Sequence, residues 1–370
     1  MRIINARLFQ NGRFQTGSIS FTDVITGFEP GEGWDAGGAY VVPGFIDIHT
    51  HGAMGEDFSD GRAEALPVLS RYYAAHGVTS FCFTTMTLKE PELMAAMDRV
   101  RSFRRPGDGA RCAGVHMEGP FLSYAKRGAQ APENLREPDL DLFRRANDRS
   151  GGQVRLITVA PEVPGALEFI REAAGVCTVS LGHTAADYDT AMAAFQAGAS
   201  HATHLFNAMP PFLHREPGVV GAALLSGATV ELICDGLHIH PAVIMAVHRM
   251  FGQKLCIISD SLRCAGLGDG EYELTGHPVV VKDGRATLSD GTLAGSSTNL
   301  LDEVRNVVSY GMPLEAALTA VTETPARAIG RFGEIGSLEP GKRADLLVLN
   351  GDLSLRAVLI DGRPAVGGLD

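Results

Sequence analysis

Residues 41–51, VVPGFIDIHTH, run apolar and then stop on two histidines one residue apart. A short apolar run bounded by turn residues reads as a buried parallel strand. Seven more runs of this kind follow: GVTSFCFTT (77–85), RCAGVHMEG (111–119), VRLITVAPE (154–162), CTVSLGHT (177–184), HATHLFNAM (201–209), TVELICDGLH (229–238) and KLCIISDS (254–261). Alanine-rich amphipathic stretches separate most of them, for example 187–199 and 241–251. Eight βα repeats predict an α/β fold of the (β/α)8 TIM-barrel type. A doubly wound sheet would stop near about six strands, and no glycine-rich phosphate fingerprint follows any run.

Outside this block the pattern changes. Residues 1–42 are short β-branched runs broken by turns such as Asn11-Gly12, and 343–370 return to strands around Asn350-Gly351 and Asp361-Gly362. These ends are expected to form one small β-sandwich domain, with the barrel (43–342) inserted between them. Residues near 270–293 alternate with period two around Asp283-Gly284, which predicts a β-hairpin insertion. Helices are expected over 299–310 and 313–328.

Composition excludes several classes. The 370 residues are 45% hydrophobic and 20% charged, a globular ratio, and the net charge of -11 opposes general binding to nucleic acid or an acidic membrane. No apolar run is long enough to span a bilayer. The first residues, MRIINARLFQ, contain no hydrophobic leader, and the six cysteines form no CxxC pair, so a reducing, cytoplasmic setting is expected.

The predicted strands end in metal-capable side chains. His49 and His51 share a face by alternation, as do His116 and Glu118; His183, His204, Asp235, His238 and Asp260 close later strands. A single histidine in such a place is usually structural. Six groups gathered at one end of a barrel (His49, His51, Glu118, His183, His204 and Asp260) instead suit a catalytic divalent metal site, with zinc or iron favoured by imidazole and carboxylate donors. His116 is read as packing behind the ligands and His201 as structural. His76, His248 and His277 stay structural, and His214 and His240 stay open.

The HxH after strand one, the histidines after strands five and six, the aspartate after strand eight and the phrase GSLEPGKRADLLVL resemble the amidohydrolase superfamily. Within it, HMEGPF (116–121), SLGHT (180–184), THLFNAMP (203–210), HREPG (214–218), CDGLHIHP (234–241), ISDS (258–261) and LAGSS (293–297) resemble N-acetylglucosamine-6-phosphate deacetylases. The resemblance implies metal-dependent hydrolysis of the acetamide of N-acetyl-D-glucosamine 6-phosphate. Glu118, His183 and His204 would hold a principal metal, His49 and His51 a second bridged by Glu118, and Asp260 would shuttle the proton. Strand four contains no lysine to serve as a carboxylated bridge, which leaves Glu118 as the bridging carboxylate.

It further implies a homodimer in which Arg215 reaches the neighbouring subunit's sugar phosphate. Asn207, Ala208 and His238 would contact the same substrate, and Leu293, Ala294, Gly295 and Ser296 would line the acyl side. At Ala129-Gln130, glutamine stands where other members place a histidine, which leaves the sugar epimer open. The alternatives are a deacetylase for N-acetylgalactosamine 6-phosphate, another N-acyl amidohydrolase, and a non-enzymatic sugar-phosphate sensor.

Overall fold

The computed structural model describes residues 1–62 and 64–369. The strands are β1 (Phe45–Thr50), β2 (Val78–Thr85), β3 (Arg111–Glu118), β4 (Val154–Val159), β5 (Thr178–Leu181), β6 (His201–Ala202), β7 (Thr229–Ile233) and β8 (Leu255–Ile258). They lie side by side in sequence order, all parallel; each of the first seven is followed by a helix, and β8 by an insertion and then the helix Leu300–Ser309. The seam between β8 and β1 closes at the C-terminal end, where the Asp260 amide donates to the His49 carbonyl at 3.0 Å and the His51 amide to the Ser261 carbonyl at 2.9 Å. The groups that seal the barrel are therefore neighbours of the candidate site.

Alternation sorts the side chains. Phe81, Phe83, Val115, Met117, Ile157 and Val179 face the helices in one large cluster, while Ile46, Ile48, Cys82, Leu156, Ile233, Cys256 and Ile258 fill the barrel interior. Burial of each such residue stabilises by roughly 1.5–3 kcal/mol. In β1 the alternation changes phase. Asp47 pairs with Phe81 and Thr50 with Phe83, so three steps on β1 span two on β2. This bulge turns His49 inward directly after the inward Ile48.

The β6 run is the shortest strand, because its second half turns at His204, Phe206 and Ala208, all at positive φ. Helices start on the expected caps: the Asp187 side chain accepts from the Thr190 amide and that of Asn299 from the Asp302 amide. The helix expected over 313–328 is two, Leu314–Val321 and Glu323–Ala328, broken at Thr322. Pro325 has no N–H to give the Val321 carbonyl, so the first helix ends there.

Both termini join in one eight-stranded sheet, in which Tyr40–Pro43 pairs with Leu346–Leu349 and bridges the N-terminal strands to the C-terminal ones. All of its strands are hydrogen-bonded into that sheet, and their inward side chains, among them Ile3, Ile19, Val41, Leu346 and Leu359, form a core of their own, as a small β domain built from both termini requires. The insertion is a three-stranded meander, Gly270–Leu274, His277–Lys282 and Arg285–Leu288, in place of the single hairpin. Its extra turn, Thr275-Gly276, takes the same pair of positive φ angles as Asp283-Gly284. Among the described residues, no helix is long and apolar enough to cross a membrane.

Candidate active site

His49 on β1, His51 just after it, Glu118 ending β3, and His183, His204 and Asp260 beyond β5, β6 and β8 meet inside the barrel mouth, each under 9% exposed. Glu118 is the hub. Its Oε1 lies 3.0 Å from His204 Nε2, 3.2 Å from His183 Nε2 and 3.3 Å from His49 Nε2, and its Oε2 lies 3.3 Å from His51 Nε2. Asp260 Oδ1 stands 3.3 Å from His51 Nε2 and 3.5 Å from His49 Nε2.

The backbone is bent to achieve this. His183, His204 and Asp260 have φ of 47°, 27° and 47°, the left-handed region that side chains of L-residues rarely take. Such strain survives only where the surroundings impose it, and it collects at functional sites. Two glycines make room: a Cβ on Gly182 would lie 2.7 Å from the Thr203 Cβ, and one on Gly295 would lie 2.9 Å from the Asp260 carbonyl oxygen.

The donor set fits divalent ions. Two ligands bound to one ion at about 2.1 Å in tetrahedral geometry stand about 3.4 Å apart, close to the spacings around Glu118. His183 Nδ1 donates to the Lys126 carbonyl at 3.0 Å, which leaves the Nε2 lone pair facing the cluster. His49 Nδ1 meets Glu231 at 2.9 Å, while its buried Nε2 makes no hydrogen bond. The triads Glu118/His183/His204 and His49/His51/Glu118 are thus two candidate positions sharing one carboxylate.

Electrostatics agree. Burial would raise the Glu118 carboxyl, but the imidazoles of His49 and His183 hold it well below the usual range. Burial would lower His51, yet hydrogen bonds with Asp260 and Glu118 push it up to about 9. A divalent ion competes with that proton, so ligation there is proton-linked.

Above this floor opens a cavity of about 450 Å³, lined by Ala129, Gln130, Asn207, Ala208, His238, Leu293, Ala294 and Gly295. Gln130 is buried; its amide donates to Glu118 Oε2 at 2.7 Å, and its oxygen accepts from the Thr87 amide at 2.7 Å. His238 is braced on Asp235 at 2.7 Å.

Ser296, expected here, is not in the lining, and Arg215, expected to serve a neighbouring subunit, lies outside it. Ser296 is buried beneath it, its amide donating to the Asp260 carbonyl at 2.8 Å and its hydroxyl to the Ser259 carbonyl. Arg215 stands on the exposed loop 211–216 beside His214. The wall also includes Lys126, Arg127, Asp290 and Thr292, which the sequence reading had not singled out. Nor had it marked Glu231, although a lone acid between Val230 and Leu232 in a buried strand is a visible signal. Among the other histidines, His116 bonds Thr158 at 2.7 Å and meets the His49 ring edge-on, His201 pairs with Glu231, and His240 caps the helix after β7.

A profile of the Amidohydrolase family matches residues 40–365. The chain is 36% identical to the N-acetylglucosamine-6-phosphate deacetylase of Vibrio furnissii, over 98% of this chain and 93% of that protein. It is also 36% identical to the N-acetylgalactosamine-6-phosphate deacetylase of Escherichia coli O157:H7, over 88% and 87%. The structure of an aspartate-to-alanine variant of the Mycobacterium smegmatis N-acetyl-D-glucosamine-6-phosphate deacetylase, in complex with N-acetyl-D-glucosamine-6-phosphate, superposes with a TM-score of 0.92 at 33% identity, covering 99% of both chains. With a barrel that gathers histidines and a shared carboxylate at its mouth, and with this agreement along nearly its whole length, the chain belongs to the amidohydrolase family.

Proposed function

We propose that this protein hydrolyses the acetamide of N-acetyl-D-glucosamine 6-phosphate to D-glucosamine 6-phosphate and acetate. The observation that carries the reading is Glu118 shared between two histidine pairs, with Asp260 beside them, at the floor of a cavity sized for one small molecule. The relatives named above make the acetamide of an amino-sugar phosphate the best-supported substrate.

Glu118, His183 and His204 would hold the principal divalent ion and His49 and His51 would complete a second position; zinc or iron matches these donors. A bound ion lowers the pKa of its water from 15.7 to roughly 7 and polarises a carbonyl oxygen. Asp260 takes the proton from the attacking water and returns it to the departing nitrogen, so the products are the protonated amine and acetate. Ala129 and Gln130 flank the acyl group, with Leu293 to Gly295 opposite. Ser296 contributes indirectly, by holding the Asp260 turn.

Asn207, the Ala208 backbone and His238 receive the sugar phosphate. Arg215 supplies the guanidinium from a second subunit of a homodimer, a reading supported by the exposed loop 211–216, which also presents Phe212 and Leu213 at 44% and 47% exposure. A cytoplasmic location fits six free cysteines and a metabolic phosphate ester.

The galacto epimer is the second reading, favoured by Gln130 and by the Escherichia coli relative. Acetate release by the metal-loaded protein, measured for both epimers with and without the 6-phosphate, decides between them. No release from any of the four would leave a sugar-phosphate sensor.

A further inference from the structure

Glu231 lies on β7 with its side chain inside the barrel, 0% exposed, beneath the histidine cluster. Its Oε2 accepts from His49 Nδ1 at 2.9 Å and from the His204 backbone amide at 3.2 Å, and its Oε1 faces His201 Nε2 at 3.2 Å. An imidazole that gives its Nδ1 proton to a carboxylate presents the Nε2 lone pair on the other side of the ring. For His49 that lone pair points to where Glu118 Oε1 and Asp260 Oδ1 stand at 3.3 and 3.5 Å. The His116 ring packs against His49 at 4.5 Å and is tied to Thr158, so the plane of His49 is fixed as well.

The other histidines are oriented differently. His183 is set by the Lys126 carbonyl, and His204 meets Glu231 only through its backbone. His51 Nδ1 makes no hydrogen bond, so the orientation of the β1 pair rests on His49.

We propose that Glu231 is a positioning residue that fixes the tautomer and ring plane of His49, and thereby sets the affinity of the His49/His51/Glu118 position for a divalent ion while leaving the Glu118/His183/His204 position nearly untouched. The inference rests on reading these five residues as two metal positions. Glutamine at 231 offers a single acceptor oxygen for the same donors and turns an NH2 toward a ring or backbone N–H, so it is the informative replacement.

The test equilibrates the full-length protein with buffered zinc and counts bound ions by elemental analysis, for the wild type, Glu231→Gln and Glu231→Asp. The expected result is two ions in the wild type and one tightly held ion in Glu231→Gln, whose second dissociation constant rises about 10- to 100-fold. Glu231→Asp should lie between them. In the zinc-loaded wild type, 15N spectra of the histidine rings should show a protonated His49 Nδ1. Two ions at unchanged affinity in Glu231→Gln, loss of both ions together, or an unprotonated His49 Nδ1 would each overturn the inference. A wild type that never holds more than one ion would instead remove the two-position reading, and the inference with it.

Discussion

Replacing Asp260 by asparagine separates proton transfer from metal binding. The side chain keeps its size and its place after β8, where backbone hydrogen bonds to His49 and Ser296 pin the residue on both sides. What disappears is the carboxylate that takes and returns the proton. General acid-base groups contribute about 10²- to 10⁴-fold, so turnover should fall by that factor, equivalent to about 2.7 to 5.4 kcal/mol on the barrier. Metal content should survive, because Glu118 supplies the shared carboxylate at 3.0 to 3.3 Å from all four imidazoles, whereas Asp260 approaches only His49 and His51. Steady-state acetate release with elemental analysis on the same sample reads both quantities, and KM should change little, since the lost interaction belongs to the transition state. Turnover within tenfold of the wild type at equal metal content would refute the role; so would a rise in KM at unchanged kcat.

Three further variants test other parts of the structure. Arg215→Met should raise KM for the 6-phosphate about 10- to 100-fold, the worth of a charged hydrogen-bonded fork, and leave the unphosphorylated amide unaffected; equal losses on both would count against the phosphate role. Glu303 is buried, which pushes its carboxyl well above the ordinary glutamate range, and the nearby Asp235 adds to the effect. The folded state therefore keeps this proton after the unfolded chain has lost it, so wild-type stability falls as pH rises above about 4.5, by at most about 1.4 kcal/mol per pH unit. Glu303→Gln keeps the acceptor for the Cys234 amide and should gain on the wild type between pH 5 and 8 in denaturant titrations; parallel pH profiles would contradict this. Arg111 ties the start of β3 to Asp345 at 2.8 Å and to Asp361 in the terminal sheet. Arg111→Met leaves Asp345 buried without its partner and should cost about 3–5 kcal/mol, read as a lower denaturation midpoint; a loss under about 1 kcal/mol would mean that water or Arg343 compensates.

The barrel was legible because its signal repeats: eight apolar runs, most of them separated by a helical stretch, leave few alternatives. The misread parts were single local events. The third strand of the insertion hid behind Thr275-Gly276, since threonine is a poor residue for positive φ, while Asp283-Gly284 announced itself. The break at Thr322 followed from Pro325, a signal that was present but outweighed by a run of helix formers. A further local event, the extra residue in β1 before His49, lay outside the sequence reading, while His49 and His51 meet the same carboxylates as expected.

For the site, legibility divided along the chain's direction. Residues at strand ends face the cavity and sit in recognisable phrases, so His49, His51, Glu118, His183, His204 and Asp260 could be collected from the sequence. Residues one layer lower orient those ligands from mid-strand, where a polar side chain looks like a flaw in an apolar run. Glu231 is the case in point. The sequence shows only a glutamate interrupting a hydrophobic stretch, and burying it unpaired would cost several kcal/mol. That cost is itself informative: a carboxylate at such a position requires donors directed at it, and in a barrel strand ending near several histidines those donors are imidazole N–H groups. Lys126, in the loop after β3, orients a ligand by another route: its backbone carbonyl accepts from His183 Nδ1 at 3.0 Å, and its ammonium donates to the Met209 carbonyl at 3.2 Å, next in the chain to Ala208. One residue thereby couples the geometry of a candidate ligand to the rim where a phosphate would lie. In a chain with a net charge of -11, Lys126 and Arg127 in the cavity wall, above a floor of carboxylates, are where the proposed 6-phosphate would meet opposite charge, with the amide then turned inward.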